Sequence, residues 1–234
     1  MNLKETLARK IEHTCVKATT TTQDVIQLCQ EAKQYNFVAA AVNPSYVSLA
    51  VKELGRSETE VCAAIGFPLG ASTLKVKIFE AEEAIKNGAK AIDMVINIGL
   101  LKSGRYSLVE KEIESIVKLD ESITTKIIIE TCYLNREEKI RLSKMAKDLG
   151  ADFIKTSTGM ASSGATVEDV KLIRATVGPE MGIKAAGGIH SYNDAKKLIE
   201  AGANRIGTSQ GVKIMREYLE NIKKTNERKV YFSS

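Results

Sequence analysis

The chain has 234 residues, 44% of them hydrophobic and 27% charged, with a formal net charge of +5. That length fits one large domain or two small ones, no stretch is apolar for long enough to cross a membrane, and the charged start MNLKETLARKIEH lacks the apolar core of a signal peptide. Lysines alternate with glutamates along helical faces, as in Glu110-Lys111-Glu112, so the positive excess describes a solvated surface and argues against a nucleic-acid stripe.

Ile11 to Thr14 is a predicted strand, after which Val25, Leu28, Cys29 and Ala32 recur at helical spacing. Phe37 to Val42 is an apolar run too short for a helix. Asn43-Pro44 then starts a helix faced by Val47, Ala50, Val51 and Leu54 and ended by Gly55. Val61 to Ile65 leads through Gly66-Phe67-Pro68-Leu69-Gly70 into a helix marked by Leu74, Ile78, Ala81 and Ile85. Ala91 to Ile96 is followed by the stripe Val109, Ile113, Ile116, and Lys126 to Ile129 by a helix that Asn135 and Glu138 open as a capping box. Ala151 to Ile154, Gly182 to Ala185 and Ala203 to Ile206 complete the strands; helices begin at Thr166, at Ser191 and near Val212. The tail from Lys223 to Ser234 shows no periodic pattern and reads as a mobile extension of a domain spanning 1–222.

Alternating short apolar runs and amphipathic helices, repeated eight times, predict an α/β protein of the (β/α)8 TIM-barrel type. A doubly wound open sheet is the alternative, disfavoured by the absence of a Gly-rich dinucleotide fingerprint after the first strand. Within the barrel one frame recurs: Gly88-Ala89, Gly150-Ala151 and Gly202-Ala203 each stop a helix and start a strand. Counting five residues on from each glycine reaches Asp93, Lys155 and Gly207, which places all three at one height around the mouth.

Lys155 ends a buried strand, so its ammonium must be paired, neutral or turned to a cavity. A structural salt bridge is the plain reading. Lys184 on the next strand favours the other, because two neighbouring lysines repel and depress at least one pKa. A neutral amine beside an aspartate suits Schiff-base chemistry, with Asp93 moving protons. Gly187-Gly188 and Gly207-Thr208-Ser209-Gln210-Gly211 follow strands seven and eight, where barrels often bind phosphate. His13 and His190 lack metal-ligand spacing, and Cys15, Cys29, Cys62 and Cys132 show no CxxC pairing, so reduced thiols and no metal site are expected.

AAAVNPSYV, IGFPLGAST, AIDMVINIG, IIIETCYL, GADFIKTSTG, GIKAAGGI and AGANRIGTSQG, in this order and over nearly the whole chain, resemble the deoxyribose-phosphate aldolase family. The resemblance implies a (β/α)8 class I aldolase that cleaves 2-deoxy-D-ribose 5-phosphate to D-glyceraldehyde 3-phosphate and acetaldehyde, without metal or organic cofactor. It also implies a cytoplasmic homodimer or homotetramer whose partners are sugar phosphates and aldehydes, with no nucleic acid or membrane. By motif, Lys155 would form the Schiff base, Lys184 would perturb it and Asp93 would transfer protons. Thr156 and Thr158 would face the reacting carbons; Gly187, Gly188, Gly207 and Ser209 would contact phosphate. The chain departs from the family pattern at Glu12, Ala41, His190 and Gln210, of which His190 replaces an arginine. Tyr231 stands where the family tail carries a catalytic tyrosine. Another lysine-dependent aldolase or transaldolase, and a non-catalytic barrel that binds phosphometabolites, remain open on the residues alone.

Overall fold

A computed structural model describes residues 7–231, with side chains through Lys223. Eight strands, β1 (Ile11–Cys15), β2 (Ala39–Val42), β3 (Glu60–Ile65), β4 (Ala91–Val95), β5 (Thr124–Ile128), β6 (Phe153–Lys155), β7 (Gly182–Ala186) and β8 (Arg205–Thr208), pair in parallel and in chain order. β8 pairs with β1 and closes the barrel.

Helices α1 (Thr22–Tyr35), α2 (Val47–Leu54), α3 (Leu74–Lys86), α4 (Ile98–Lys102), α5 (Tyr106–Val117), α6 (Arg136–Asp148), α7 (Val167–Val177), α8 (Tyr192–Glu200) and α9 (Gly211–Tyr231) cover the outside. Asn43, read as a cap, makes no capping hydrogen bond, and Pro44–Tyr46 form a 3-10 turn ahead of α2; three other caps read from sequence do form. Asn135 accepts from the Glu138 amide, Thr166 from that of Asp169 and Ser191 from that of Asp194, each satisfying a donor that the helix start leaves open.

Two further elements differ from the sequence expectation. The short helix α4 sits in the β4–α5 connection, started by the Asn97 side chain accepting from the Leu100 amide; five residues are too few to show a period. Helix α9 runs past Ile222 to Tyr231. Its last turns are rich in lysine, glutamate and arginine, good helix formers that need no apolar stripe to hold a helix. The Tyr231 side chain lies outside the described residues.

The strands alternate with a period of two, and each side of the barrel wall has its own chemistry. Ile11, Ile92, Met94, Ile127, Ile154, Ile183, Ala185 and Ile206 point outward into one continuous apolar core shared with the helices. Inside, a small cluster of Val38, Ala39, Ala41, Cys62 and Ala91 fills the space beside β2, β3 and β4. Further inward positions on β1, β4, β5, β6 and β7 carry Glu12, Asp93, Lys126, Lys155 and Lys184, all buried.

Glycines make room for the large inward side chains. A Cβ on Gly182 would fall 2.3 Å from the Phe153 ring, and one on Gly207 would fall 2.9 Å from Cε of Lys184.

Candidate active site

Asp93 is the hub of the barrel interior. Its Oδ2 accepts from Lys155 Nζ at 2.7 Å and from Lys184 Nζ at 2.6 Å, and its Oδ1 lies 3.2 Å from Lys126 Nζ. Lys184 also donates to Glu12, whose other oxygen lies 3.6 Å from Lys126 and 3.3 Å from Arg205. The Cys62 thiol donates to Asp93 Oδ1 at 3.1 Å.

The recurrent Gly-Ala frame thus brings Asp93 and Lys155 into contact, and strand pairing sets Lys155 directly beside Lys184. Asp93 lies within β4, one layer under the rim, and not at the strand end that the sequence suggested.

The charges in this buried group do not match. Glu12 and Asp93 supply two negative charges, and Lys126, Lys155 and Lys184 would supply three positive ones, to which the Arg205 guanidinium at the edge of the group adds a fourth. Two lysines can be held as cations by two carboxylates, and the third is left over.

The electrostatics select Lys155 as that third amine. Lys126 and Lys184 are raised, because their attraction to Asp93 and Glu12 outweighs burial. Lys155 is lowered, first by burial and then by Lys184, against the pull of Asp93. Repulsion by Lys184 is therefore real but second to desolvation, which the sequence reading did not rank first. Asp93 itself is held well below the usual carboxylate range: burial opposes ionisation, and Lys126, Lys155 and Lys184 overcome it. Burial and the Asp93 charge push the Cys62 thiol up to about 12, so it stays protonated. Glu12, Cys62 and Asp93 come close enough for metal ligation, yet their oxygens are already bridged by ammonium groups.

Lys155 is the member of this group that reaches a cavity of about 680 Å³, which is also lined by Thr158, Gly159, Gly187, Gly188, His190, Gly207, Ser209 and Gln210. Asp93, Lys126, Lys184 and Glu12 lie beneath it and do not line the opening. Phe67, from the β3–α3 loop, places its ring 5.9 Å from the amine.

Thr156 and Thr158, expected to act together, separate in the structure. Thr158 lines the cavity. Thr156 is fully buried: its hydroxyl donates to the Ala186 carbonyl at 3.3 Å and accepts from the Ala186 amide at 3.2 Å. It pins β6 to β7 and so sets the spacing of the two lysines. A strand-end threonine carries no sequence mark of which way its hydroxyl turns.

Gly187 and Gly188 both have positive φ, 85° and 73°, and nothing lies within 4 Å of a Cβ placed on Gly188. Gly187 packs backbone to backbone on the loop after β6, where a Cβ would fall 2.9 Å from Cα of Gly164 and 3.0 Å from Cα of Gly159. Gly207 lines the cavity and also gives Lys184 its passage. His190 is exposed at the rim. His13 is fixed between the Glu31 carboxylate at 2.7 Å and the Thr208 carbonyl at 3.4 Å, a polar core position.

Lys126, Glu12 and Glu130 were missed as site residues. The first two share a signature with the residues that were found: a charged side chain next to an outward isoleucine in a predicted strand, as in Ile11-Glu12, Lys126-Ile127, Ile154-Lys155 and Ile183-Lys184.

Known proteins resemble this chain over most of its length. A model of the DeoC/LacD family aldolases matches residues 7–220. The deoxyribose-phosphate aldolase of Caldanaerobacter subterraneus subsp. tengcongensis is 52% identical over 215 residues, covering 91% of this chain and 93% of that one. That of Thermococcus gammatolerans is 54% identical over 213 residues, covering 89% and 95%. Among solved structures, the tetrameric deoxyribose phosphate aldolase of Aeropyrum pernix superposes with a TM-score of 0.85 at 34% identity, covering 92% of each chain. With the family pattern matched from the start of the barrel into its last helix and half of the residues shared with these relatives, the chain belongs to the DeoC/LacD family of aldolases.

Proposed function

We propose that the protein reversibly cleaves 2-deoxy-D-ribose 5-phosphate to D-glyceraldehyde 3-phosphate and acetaldehyde through a Schiff base on Lys155. The observation that carries this reading is the unmatched charge beneath the cavity: two carboxylates hold Lys126 and Lys184 as cations, and Lys155 is the amine left to lose its proton. A neutral amine can give an N–H to Asp93 and keep its lone pair for the substrate. It then attacks the C1 aldehyde of the open-chain sugar and, with loss of water, forms an iminium. That positive nitrogen draws electrons from the C2–C3 bond as the C3 hydroxyl loses its proton. Asp93, bonded through one oxygen to both Lys155 and Lys184, moves the protons that these steps and the later hydrolysis need.

The phosphate end falls to Gly187, Gly188, Gly207 and Ser209, whose backbone can approach oxygens closely. His190 stands at the rim where the family pattern has an arginine, so the backbone N–H groups carry more of the phosphate here.

Incubation with acetaldehyde and borohydride should fix an adduct on Lys155, and Lys155→Ala should fix none. A coupled assay should read glyceraldehyde 3-phosphate release from deoxyribose phosphate and much weaker cleavage of unphosphorylated deoxyribose. An active wild type that traps no adduct would sink the Schiff-base reading.

The enzyme is proposed to be cytoplasmic and to work as a homodimer or homotetramer. Free Cys15, Cys29, Cys62 and Cys132 fit a reducing compartment. Leu69, Val76 and Phe79, 75%, 52% and 67% exposed, gather on the β3–α3 loop and α3 as an apolar surface suited to a second copy. Light scattering should give a dimeric or tetrameric mass, and a monomer at micromolar concentration would contradict the assembly; recovery from the secreted fraction would contradict the compartment.

A further inference from the structure

Glu130 stands apart from the other buried acids. It is 1% exposed, and among the described residues it is the one buried carboxylate with no ammonium or guanidinium nitrogen within 4.0 Å. Its backbone is held at φ 51°, ψ 71°, left-handed geometry that is uncommon for a residue other than glycine or asparagine. On either side of it, the Ile129 amide donates to the Lys155 carbonyl at 3.1 Å and the Thr131 amide to the Thr156 carbonyl at 2.9 Å. The ladder between the β5 and β6 ends is thus clamped around Glu130, and its side chain is aimed at the loop after Lys155.

Among the described residues, the hydrogen bonds to its carboxylate all come from Thr158. The Thr158 amide donates to Oε1 at 3.2 Å and to Oε2 at 3.1 Å, and the Thr158 hydroxyl donates to Oε2. Burial pushes the Glu130 carboxyl up, while the Thr158 donors and Lys155 favour its ionised form. The hydroxyl oxygen also accepts from the Met160 amide at 3.0 Å.

A threonine hydroxyl has one proton and two lone pairs. Here the proton goes to Glu130 and one lone pair to Met160, which leaves a single lone pair for the cavity. Thr158 stands in the chain between Lys155 and Gly159, and Gly159 packs on Gly187. Its free lone pair therefore lies between the reacting amine and the phosphate loops, where the middle of a bound sugar phosphate would run.

Resting on the aldolase reading above, we infer that Glu130 is a positioning residue that turns the Thr158 hydroxyl into a fixed acceptor, so that the site selects an acceptor aldehyde bearing a hydroxyl next to its carbonyl. A hydroxyl can donate to that lone pair. A methylene, a ketone or a phosphate oxygen cannot, and leaves it unmatched.

The test compares two acceptors with acetaldehyde as donor: D-glyceraldehyde 3-phosphate and 3-oxopropyl phosphate, which lacks only the 2-hydroxyl. The wild type should favour the first by about tenfold in kcat/KM, the scale of one well-placed hydrogen bond. Thr158→Val and Glu130→Leu should each bring the ratio close to one, and the double variant should add nothing, because Glu130 acts through Thr158. Equal loss on both acceptors with the ratio intact, or a further loss of discrimination in the double variant, would overturn the inference. Should Glu130→Leu fail to fold, Glu130→Gln replaces an ionised acceptor with a neutral one and should lower the ratio by about threefold; an unchanged ratio overturns the inference equally. Borohydride trapping of acetaldehyde on Lys155 is read in every variant. Its failure in the wild type rejects the aldolase reading, whereas trapping throughout with an unmoved ratio rejects only the role of Glu130.

Discussion

Two groups of buried lysines and acids lie on opposite sides of the β4 wall, and they do different work. Outside the barrel, Lys77 of α3 pairs with Glu112 of α5 at 2.5 Å, one cation to one anion. Each partner of that pair is also held by the backbone: Lys77 donates to the Val95 carbonyl at 2.7 Å and Glu112 accepts from the Asn97 amide at 2.7 Å. Inside, three lysines face Asp93 and Glu12. The matched pair braces two helices against the end of β4. The mismatched cluster has an amine to spare, and that amine alone reaches the cavity. Burial disfavours charge in both places, since it comes first in lowering Lys77 and in lowering Lys155; the count of carboxylates decides which lysine has an anion of its own.

The largest expected effect comes from that count. Lys77→Met leaves Glu112 buried with no cation and should lower stability by about 3–5 kcal/mol. Lys155→Met removes one of three lysines that share Asp93, leaves Lys126 and Lys184 to hold it, and should leave stability equal to the wild type or above it, while trapping is abolished. Urea denaturation midpoints of the two variants check this directly. Equal destabilisation by both would mean that Lys155 is a structural cation, and the distinction between the two groups would fall.

The fold was legible from the sequence because the outward strand faces are rich in isoleucine and alanine and because the helix caps at Asn135, Thr166 and Ser191 are local signals. Lys155, Lys184 and Asp93 were legible for a related reason. Glycines that must end helices fix where strands begin, and strand register then brings side chains together. Lys126 and Glu12 were not picked out as site residues because no glycine marks the start of their strands, as Gly182 does for that of Lys184. The different fates of Thr156 and Thr158 depend on hydroxyl partners contributed by β7 and by Glu130, residues about 30 positions away in the chain. Nothing local to FIKTSTG announces them. Rank order among causes was also hidden: the two lysines suggested repulsion, whereas burial, a property of the closed barrel, acts more strongly on Lys155.

A smaller effect, read as a slope against pH, separates a cation held by its partners from an amine that folding deprotonates. The folded pKa of Lys155 lies below its ordinary value of 10.5, chiefly through burial. Between the folded pKa and 10.5 the unfolded chain therefore binds more protons at this position than the native protein does. Stability rises with pH wherever the unfolded state holds the extra proton, by about 1.4 kcal/mol for each unit of depression. Below the folded pKa both states are protonated and the contribution is flat. The stability of the wild type relative to Lys155→Met should thus increase as pH rises through this window. Lys184, whose folded pKa is raised above 10.5, has the opposite sign: its contribution is fully present below 10.5 and is lost as pH climbs through its folded value. Urea titrations at a series of pH values up to about 10.5, the unperturbed lysine range, therefore isolate Lys155, since the Lys184 contribution has not begun to fade there. A wild-type advantage that stays flat or shrinks toward alkaline pH would show that Lys155 keeps its proton in the folded protein.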